Sequence, residues 1–279
     1  MKKALLTVTD LTERSDAAVV WADTIARARG WDLHVAHAVS LAERERGTST
    51  GQLLQLERAI VTADVASRAQ MQRTLRRPTA ALPRIIDLDG LVPAMLRRAA
   101  VLQPELIIIA SGWSWDSTDT RADALSPAVI RRLASNLLIV RDALPPLARR
   151  IIVALDPDSL DAQIIRAAAR WSHWLREATA GAAHAVPDLD VVFVNDDDGP
   201  GRDLTAVIER EPADLIVAPA AMTAAGRTGR QRDAVMEYLL AHASAPVLLL
   251  RDQHSTSWPT QLYDTDMGAS HQKTVSLIA

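Results

Sequence analysis

Two aspartates and one glycine turn flanked by arginines are the residues of this chain whose types and spacing could do chemistry. Asp10 closes the apolar run LLTVT and Asp156 closes IIVAL, and each is followed by a polar turn and then by helical spacing. An acid in that place either faces a ligand beyond the end of a buried strand or turns the chain and caps the next helix. Gly226, Arg227, Thr228 and Gly229, with Arg230 and Arg232 behind them, can be read as a phosphate cradle built from backbone N–H groups or as an exposed basic turn, because a single short glycine motif is a weak signal.

Other constellations carry less. IIDLDGLV places Asp87 and Asp89 in a D-x-D of the haloacid-dehalogenase phosphatase type, IIVALDPDS offers a second, and Asp196, Asp197 and Asp198 could hold magnesium. An aspartyl-phosphate enzyme needs a cation to balance those carboxylates, and the only lysines are Lys2, Lys3 and Lys273, so this is a distant alternative. The same scarcity removes a Walker-type P-loop. His34 and His37, taken to share one strand face, would make a metal pair, but no third ligand is evident nearby and packing accounts for them better. With no cysteine there is neither a disulfide nor a thiolate nucleophile. No serine–histidine or paired-carboxylate set can be assembled from spacing, and the expectation is a protein that is not an enzyme.

The elements that must position these residues alternate. Residues 4–9 read as a strand, and Ala17, Ala18, Val20, Trp21, Thr24, Ile25 and Ala28 recur at helical spacing up to Gly30. Residues 33–39 make a second strand. A long helix over 52–77 follows, with Leu53, Leu56, Ile60, Val61 and Val65 expected on its apolar face. Strand 84–88, helix 91–102 and a fully apolar strand 106–110 come next, then Ser126-Pro127 as N-cap and first residue of a short helix, and a fifth strand at 137–140. Such alternation implies an α/β fold with a parallel, doubly wound sheet whose ligands sit beyond the strand C-termini, near Asp10 and the loop after Ala110.

The chain then begins again. RRIIVALDPDSLDAQIIRAAARW restates the opening, AHAV occurs at 36–39 and 183–186, and LLIVRD at 137–142 is answered by VLLLRD at 247–252. This divides the chain into residues 1–144, a shortened copy at 145–252, and a tail at 253–279 that lacks periodicity and reads as mobile or laid on a partner. If AHAV at 183 were a strand, too few residues would separate it from 191–194 for a parallel crossover. It is therefore taken as the end of an extended helix, with VVFVN as the remnant of the third strand. The first half carries 19 Lys+Arg against 16 Asp+Glu and the second 12 against 18. Neither has the basic excess of a nucleic-acid surface. No apolar stretch reaches membrane-spanning length, so a soluble, cytoplasmic protein is expected.

LLTVTDLTERS, DLHVAHAV, PELIIIAS and IRRLASNLLIVRD in the first half, and IIVALDPDSLD, EPADLIVAP, GRTG and YLLAHASAPVLLLRD in the second, resemble the universal stress protein family over residues 2–252. The whole looks like a tandem member. The resemblance implies two five-stranded flavodoxin-like, adenine-nucleotide-α-hydrolase-like units, the second reduced to four strands, packed on each other through their final strands, with further homodimerisation open. It also implies regulatory or protective roles under stress through a protein partner and, in some members, ATP or AMP binding, with magnesium. Nucleotide-binding members use the acid after strand one and a G-x-x-G, nine residues, G-[ST] loop after strand four. Asp10 and Asp156 match the acid. Ser111 and Gly112 begin the first loop, which Ser126 would close, while Trp113 and Trp115 with Asp116, Asp119 and Asp123 depart from the pattern. In the second, Gly226, Arg227, Thr228 and Gly229 match in part, but Pro219 stands for the first glycine and Asp233-Ala234 for the closing pair. The other class implied is a nucleotide-free interaction module whose pockets are filled by Trp113, Trp115 and Pro219.

Overall fold

The computed structural model describes residues 2–38, 49–75, 84–87, 91–111, 125–141, 150–155, 162–180, 188–193, 212–220, 236–237 and 239–251. In chain order these form β1 (Ala4–Thr9), a 3-10 turn (Glu13–Ser15), α1 (Asp16–Arg29), β2 (Asp32–Ala38), α2 (Ser49–Thr74), β3 (Arg84–Asp87), α3 (Leu91–Leu102), β4 (Leu106–Ala110), α4 (Pro127–Arg132) and β5 (Asn136–Val140). Then come β6 (Arg150–Leu155), α5 (Ala162–Ala180), β7 (Asp188–Phe193), β8 (Leu215–Pro219) and β9 (Val247–Leu250), with residues 239–242 helical ahead of β9.

The described strands make one sheet in the order β3-β2-β1-β4-β5-β9-β8-β6-β7. Every neighbouring pair is parallel except β5 and β9, which run antiparallel. β4, β5, β8 and β9 are buried along their whole length, as strands covered by helices on both faces must be. Alternation sorts their side chains into two layers. Leu6, Val8, Ile107, Ile109, Leu137, Ile139, Val247 and Leu249 pack with α3 and with Leu239 and Leu240. Leu5, Ile108, Leu138, Val140, Leu248 and Leu250 pack on the other face with α1, Met71, Leu75 and Trp171.

The two halves repeat one register. Ala4 lies opposite Asp32 as Arg150 lies opposite Asp188, and Leu5 pairs with Leu106 as Ile151 pairs with Leu215. The expected position of the VVFVN strand is thereby corrected: β7 lies directly beside β6, in the place β2 holds beside β1, and is not the remnant of a third strand. The crossover through α5 is long enough for a parallel neighbour. Residues 183–186 fall outside the described set.

Two further expectations are corrected. Among the described side chains of α2 the buried ones are Ala63, Ser67, Gln70, Met71 and Thr74, whereas Ile60, Val61 and Val65 are 40%, 63% and 62% exposed; Leu53 and Leu56 lie outside the described side chains. The face turned inward is partly polar because of what it covers, described below. His34 and His37 are three residues apart, which on a strand puts them on opposite faces. His37 is buried and His34 half-buried, and among the described residues no group of three or more His, Asp or Glu could hold a metal ion. No described helix is long and apolar enough to cross a membrane.

Gly30 ends α1 as its sequence foretells. With φ of 63°, it lets the Gly30 N–H reach the Arg27 carbonyl and the Trp31 N–H reach the Ala26 carbonyl, the paired bonds of a left-handed helix stop. A Cβ there would meet nothing within 4 Å, so Gly30→Ala isolates the backbone term. Its expected cost is about 1 kcal/mol, read as a lower midpoint in urea. The stop also delivers Trp31 to α5. Trp31, Trp171 and Trp174 meet edge-to-face at centroid distances of 6.2, 6.0 and 5.1 Å. Arg29 lies 4.4 Å over Trp174 and bonds Glu177 at 3.1 Å, so this cluster ties α1 of the first half to α5 of the second.

Candidate functional site

In the first half the strand order reverses between β1 and β4, and a doubly wound sheet opens its ligand crevice beyond the C-terminal ends of the strands at such a point. Asp10 follows β1 and Ser111 follows β4. Asp87, of the phosphatase-like motif, ends β3, the outermost described strand of this half, two strands away from the reversal.

What fills the end of β1 is a closed polar network. Thr9 is fully buried, and its hydroxyl donates to Gln70 Oε1 at 2.9 Å while accepting the Leu11 N–H at 3.1 Å. Ser15 Oγ lies 2.5 Å from Thr9 Oγ1 and 2.8 Å from the Thr12 carbonyl. Gln70 Nε2 reaches Ser15 Oγ at 3.0 Å, Asp16 Oδ1 at 2.8 Å and the Thr12 carbonyl at 3.3 Å. Two amide protons and two hydroxyl protons thus serve every one of these acceptors, and the amide of Gln70, itself 1% exposed, is saturated from within the chain. Arg73 completes the anchor with Nε and Nη2 on the two oxygens of Asp16 at 2.8 and 3.0 Å, a bidentate fork on the first turn of α1. The hydrogen bond to Asp16 raises the Arg73 pKa above its ordinary value.

Of the first-half candidates, Asp10, Ser111 and Ser126 are engaged within the chain. Asp10 Oδ1 accepts from the Thr12 N–H at 3.0 Å and the Thr12 hydroxyl at 2.6 Å, so the carboxylate caps its turn, with Leu11 at a φ of 67° inside it. The Ser111 N–H donates to the Val140 carbonyl at 2.6 Å. Ser126 is the N-cap of α4, accepting from the Val129 N–H at 3.4 Å with Pro127 following, as the Ser-Pro dipeptide foretells. Asp10 Oδ1, the Ser111 N–H and Ser126 Oγ thus each have a partner within the chain. Gly112, Trp113 and Trp115 lie outside the described residues.

In the second half Asp156, Gly226, Arg227, Thr228 and Gly229 also lie outside them. Their neighbours are informative. Pro219 ends β8 opposite Leu250 and offers no N–H, and the Ala220 N–H donates to the Leu250 carbonyl at 2.7 Å, as Ser111 does to Val140. The register equates Thr9 with Leu155, which is fully buried, and the same offset along the sequence sets Pro157 against Leu11, Asp161 against Ser15 and Ala162 against Asp16. At these aligned positions the second half carries none of Thr9, Leu11, Ser15 and Asp16. Proline, with φ fixed at about −65°, is barred from the left-handed turn that Leu11 makes.

Sequence reading missed Gln70, Thr9, Ser15, Asp16 and Arg73. The signal present was a polar line, Ser67, Gln70 and Thr74, running beside Ala63 and Met71 along one side of α2.

No family model matches the chain, and no curated protein does. Solved structures do. A universal stress protein from Archaeoglobus fulgidus DSM 4304 aligns with a TM-score of 0.57 at 14% identity, over 89% of this chain and 96% of that one. A universal stress protein, so named provisionally, from Pseudomonas aeruginosa UCBPP-PA14 gives 0.54 at 14% identity, over 90% and 93%. A functionally unknown protein from Pseudomonas aeruginosa PAO1 gives 0.53 at 14% identity, over 90% and 92%. Identity this low speaks for architecture, and the architecture of this chain is the universal stress protein fold.

Proposed function

We propose that this chain is a universal-stress-type regulatory or protective protein of the cytoplasm, without catalytic activity, in which residues 1–144 and 145–252 are two copies of one unit that have divided their labour. The first copy is scaffold. The second keeps the capacity for an adenine nucleotide, ATP or AMP with magnesium, through Asp156 and the Gly226–Gly229 turn with its arginines. One observation carries this reading: the saturated Gln70 network seals the end of β1, while the second copy has Leu155 and Pro157 in the corresponding places.

Calorimetric titration with ATP and magnesium tests it. One nucleotide is expected per chain. Asp156→Ala should weaken binding roughly tenfold, the worth of a hydrogen bond to a charged group, whereas Asp10→Ala should leave the affinity unchanged. Two equivalents per chain, or the opposite ranking of the two aspartates, would overturn the assignment. A protein that ignores ATP would favour the second reading, a nucleotide-free module for a protein partner, for which Pro219 at the start of the second loop speaks because it removes a backbone donor.

A further inference from the structure

The fifth residue of each final-strand repeat is an arginine, and the structure gives the pair a reciprocal task. Register equates Leu137 with Val247, since the first pairs with Ile107 and the second with Ile216. Arg141 and Arg251 therefore hold the same place beyond β5 and β9. Arg141 Nη2 donates to the Leu240 carbonyl at 3.0 Å, and Arg251 Nη2 donates to the Arg131 carbonyl at 2.5 Å. Leu240 belongs to the helical residues before β9, and Arg131 to the last turn of α4 before β5. Each arginine leaves the last strand of its own half and binds the end of the last helix of the other.

The chemistry at both ends is suited to this. Carbonyls in the final turn of a helix have no partner within it and gather partial negative charge, and a guanidinium satisfies both needs at once. Arg251 is additionally held by its main chain, whose N–H donates to Asn136 Oδ1 at 3.0 Å, while Asn136 Nδ2 donates to the Glu105 carbonyl at 3.1 Å. Burial lowers the Arg251 pKa below its ordinary value, as befits a guanidinium drawn into a seam. In the plane of the sheet the same seam is closed by the antiparallel pairing of Leu137, Leu138 and Ile139 with Leu249, Leu248 and Val247.

We propose that Arg141 and Arg251 form a crossed latch that fastens the two halves of this chain to each other, each half being the partner the other's final strand and final helix fit. The latch, together with the β5–β9 pairing, holds the halves as one particle independently of the covalent connection at 142–149. This inference does not depend on whether a nucleotide binds.

The test is made on the full chain with a protease site inserted within 142–149 and cut after purification. Wild-type protein should stay a one-to-one particle on gel filtration at micromolar concentration. Arg141→Met and Arg251→Met should each raise the dissociation constant of the cut halves about tenfold, since each removes a charge-assisted hydrogen bond, and the double variant should raise it roughly a hundredfold. Circular dichroism of the uncut variants separates loss of the latch from loss of fold. If a methionine variant fails to fold uncut, Arg→Lys, which keeps the charge but not the planar fork, should give an intermediate dissociation constant. Cut variants that hold together as tightly as wild type, or a cut wild type that falls apart at micromolar concentration, would overturn the proposal.

Discussion

Exchanging Gln70 for leucine should lower the stability of the chain by about 3 kcal/mol, seen as an earlier urea midpoint at unchanged slope. Leucine nearly conserves volume, so a cavity contributes little, and the loss is one of hydrogen bonding. The fully buried Thr9 hydroxyl loses its acceptor, and Ser15 Oγ loses the amide donor at 3.0 Å. Three side-chain hydrogen bonds go with the amide, each worth about 1 kcal/mol net, while Thr9 keeps the Leu11 N–H and Ser15 keeps the Thr12 carbonyl. Asp16 loses one bond but keeps Arg73 on both its oxygens, so the exposed rim of the network survives while its interior does not. A loss below about 1 kcal/mol would mean that water or a rotated hydroxyl replaces the amide. The end of β1 would then be accessible, and the argument for a sealed first half would fail with it.

This network also marks where the sequence stopped being legible. β1, α3 and β4 fall on the residues expected of them, because apolar runs and periodicity report burial directly and burial decides those elements. The helix stop at Gly30 and the cap at Ser126 were readable for a different reason: local backbone geometry demands those residue types. α2 was readable as a helix but not as to its inward face. A search for apolar residues selects Ile60, Val61 and Val65, yet the C-terminal part of the helix lies against Thr9, Ser15 and Asp16 and must bring Ser67, Gln70 and Thr74 to them. A polar residue buried by partners distant in sequence has no periodic signature, since only the tertiary fold brings those partners to it. The repeated AHAV misled for a related reason. Identical letters fixed an equivalence that strand register contradicts, because register is set by pairing across β6 and β7 and not by similarity along the chain. The turn-capping role of Asp10, whose Oδ1 accepts from the Thr12 N–H and hydroxyl, was one of the two readings its place after the strand allowed.

The second large effect belongs to the seam. Leu138 and Leu248 occupy equivalent places in the two halves, are fully buried, and lie opposite each other where β5 meets β9. The pairing is reciprocal about them: Leu137 faces Leu249 and Ile139 faces Val247, so the local two-fold relation runs through this pair. Each side chain joins the layer that holds α1 and Trp171. Leu138→Ala and Leu248→Ala should therefore each cost about 3 kcal/mol, the usual price of an unfilled leucine cavity, and the two should cost nearly the same. The double variant should cost less than the sum, because the second truncation enlarges a cavity the first has opened and removes contacts already lost. Equilibrium unfolding of the four proteins of this cycle measures both quantities. Strictly additive losses would show that the leucines do not share a contact. Unequal single losses would place the relation between the halves elsewhere than at this pair. A single unfolding transition retained in the double variant would indicate that the arginine latch and the tryptophan cluster suffice to keep the halves cooperative, whereas two transitions would show that the leucine pair is what makes them unfold as one.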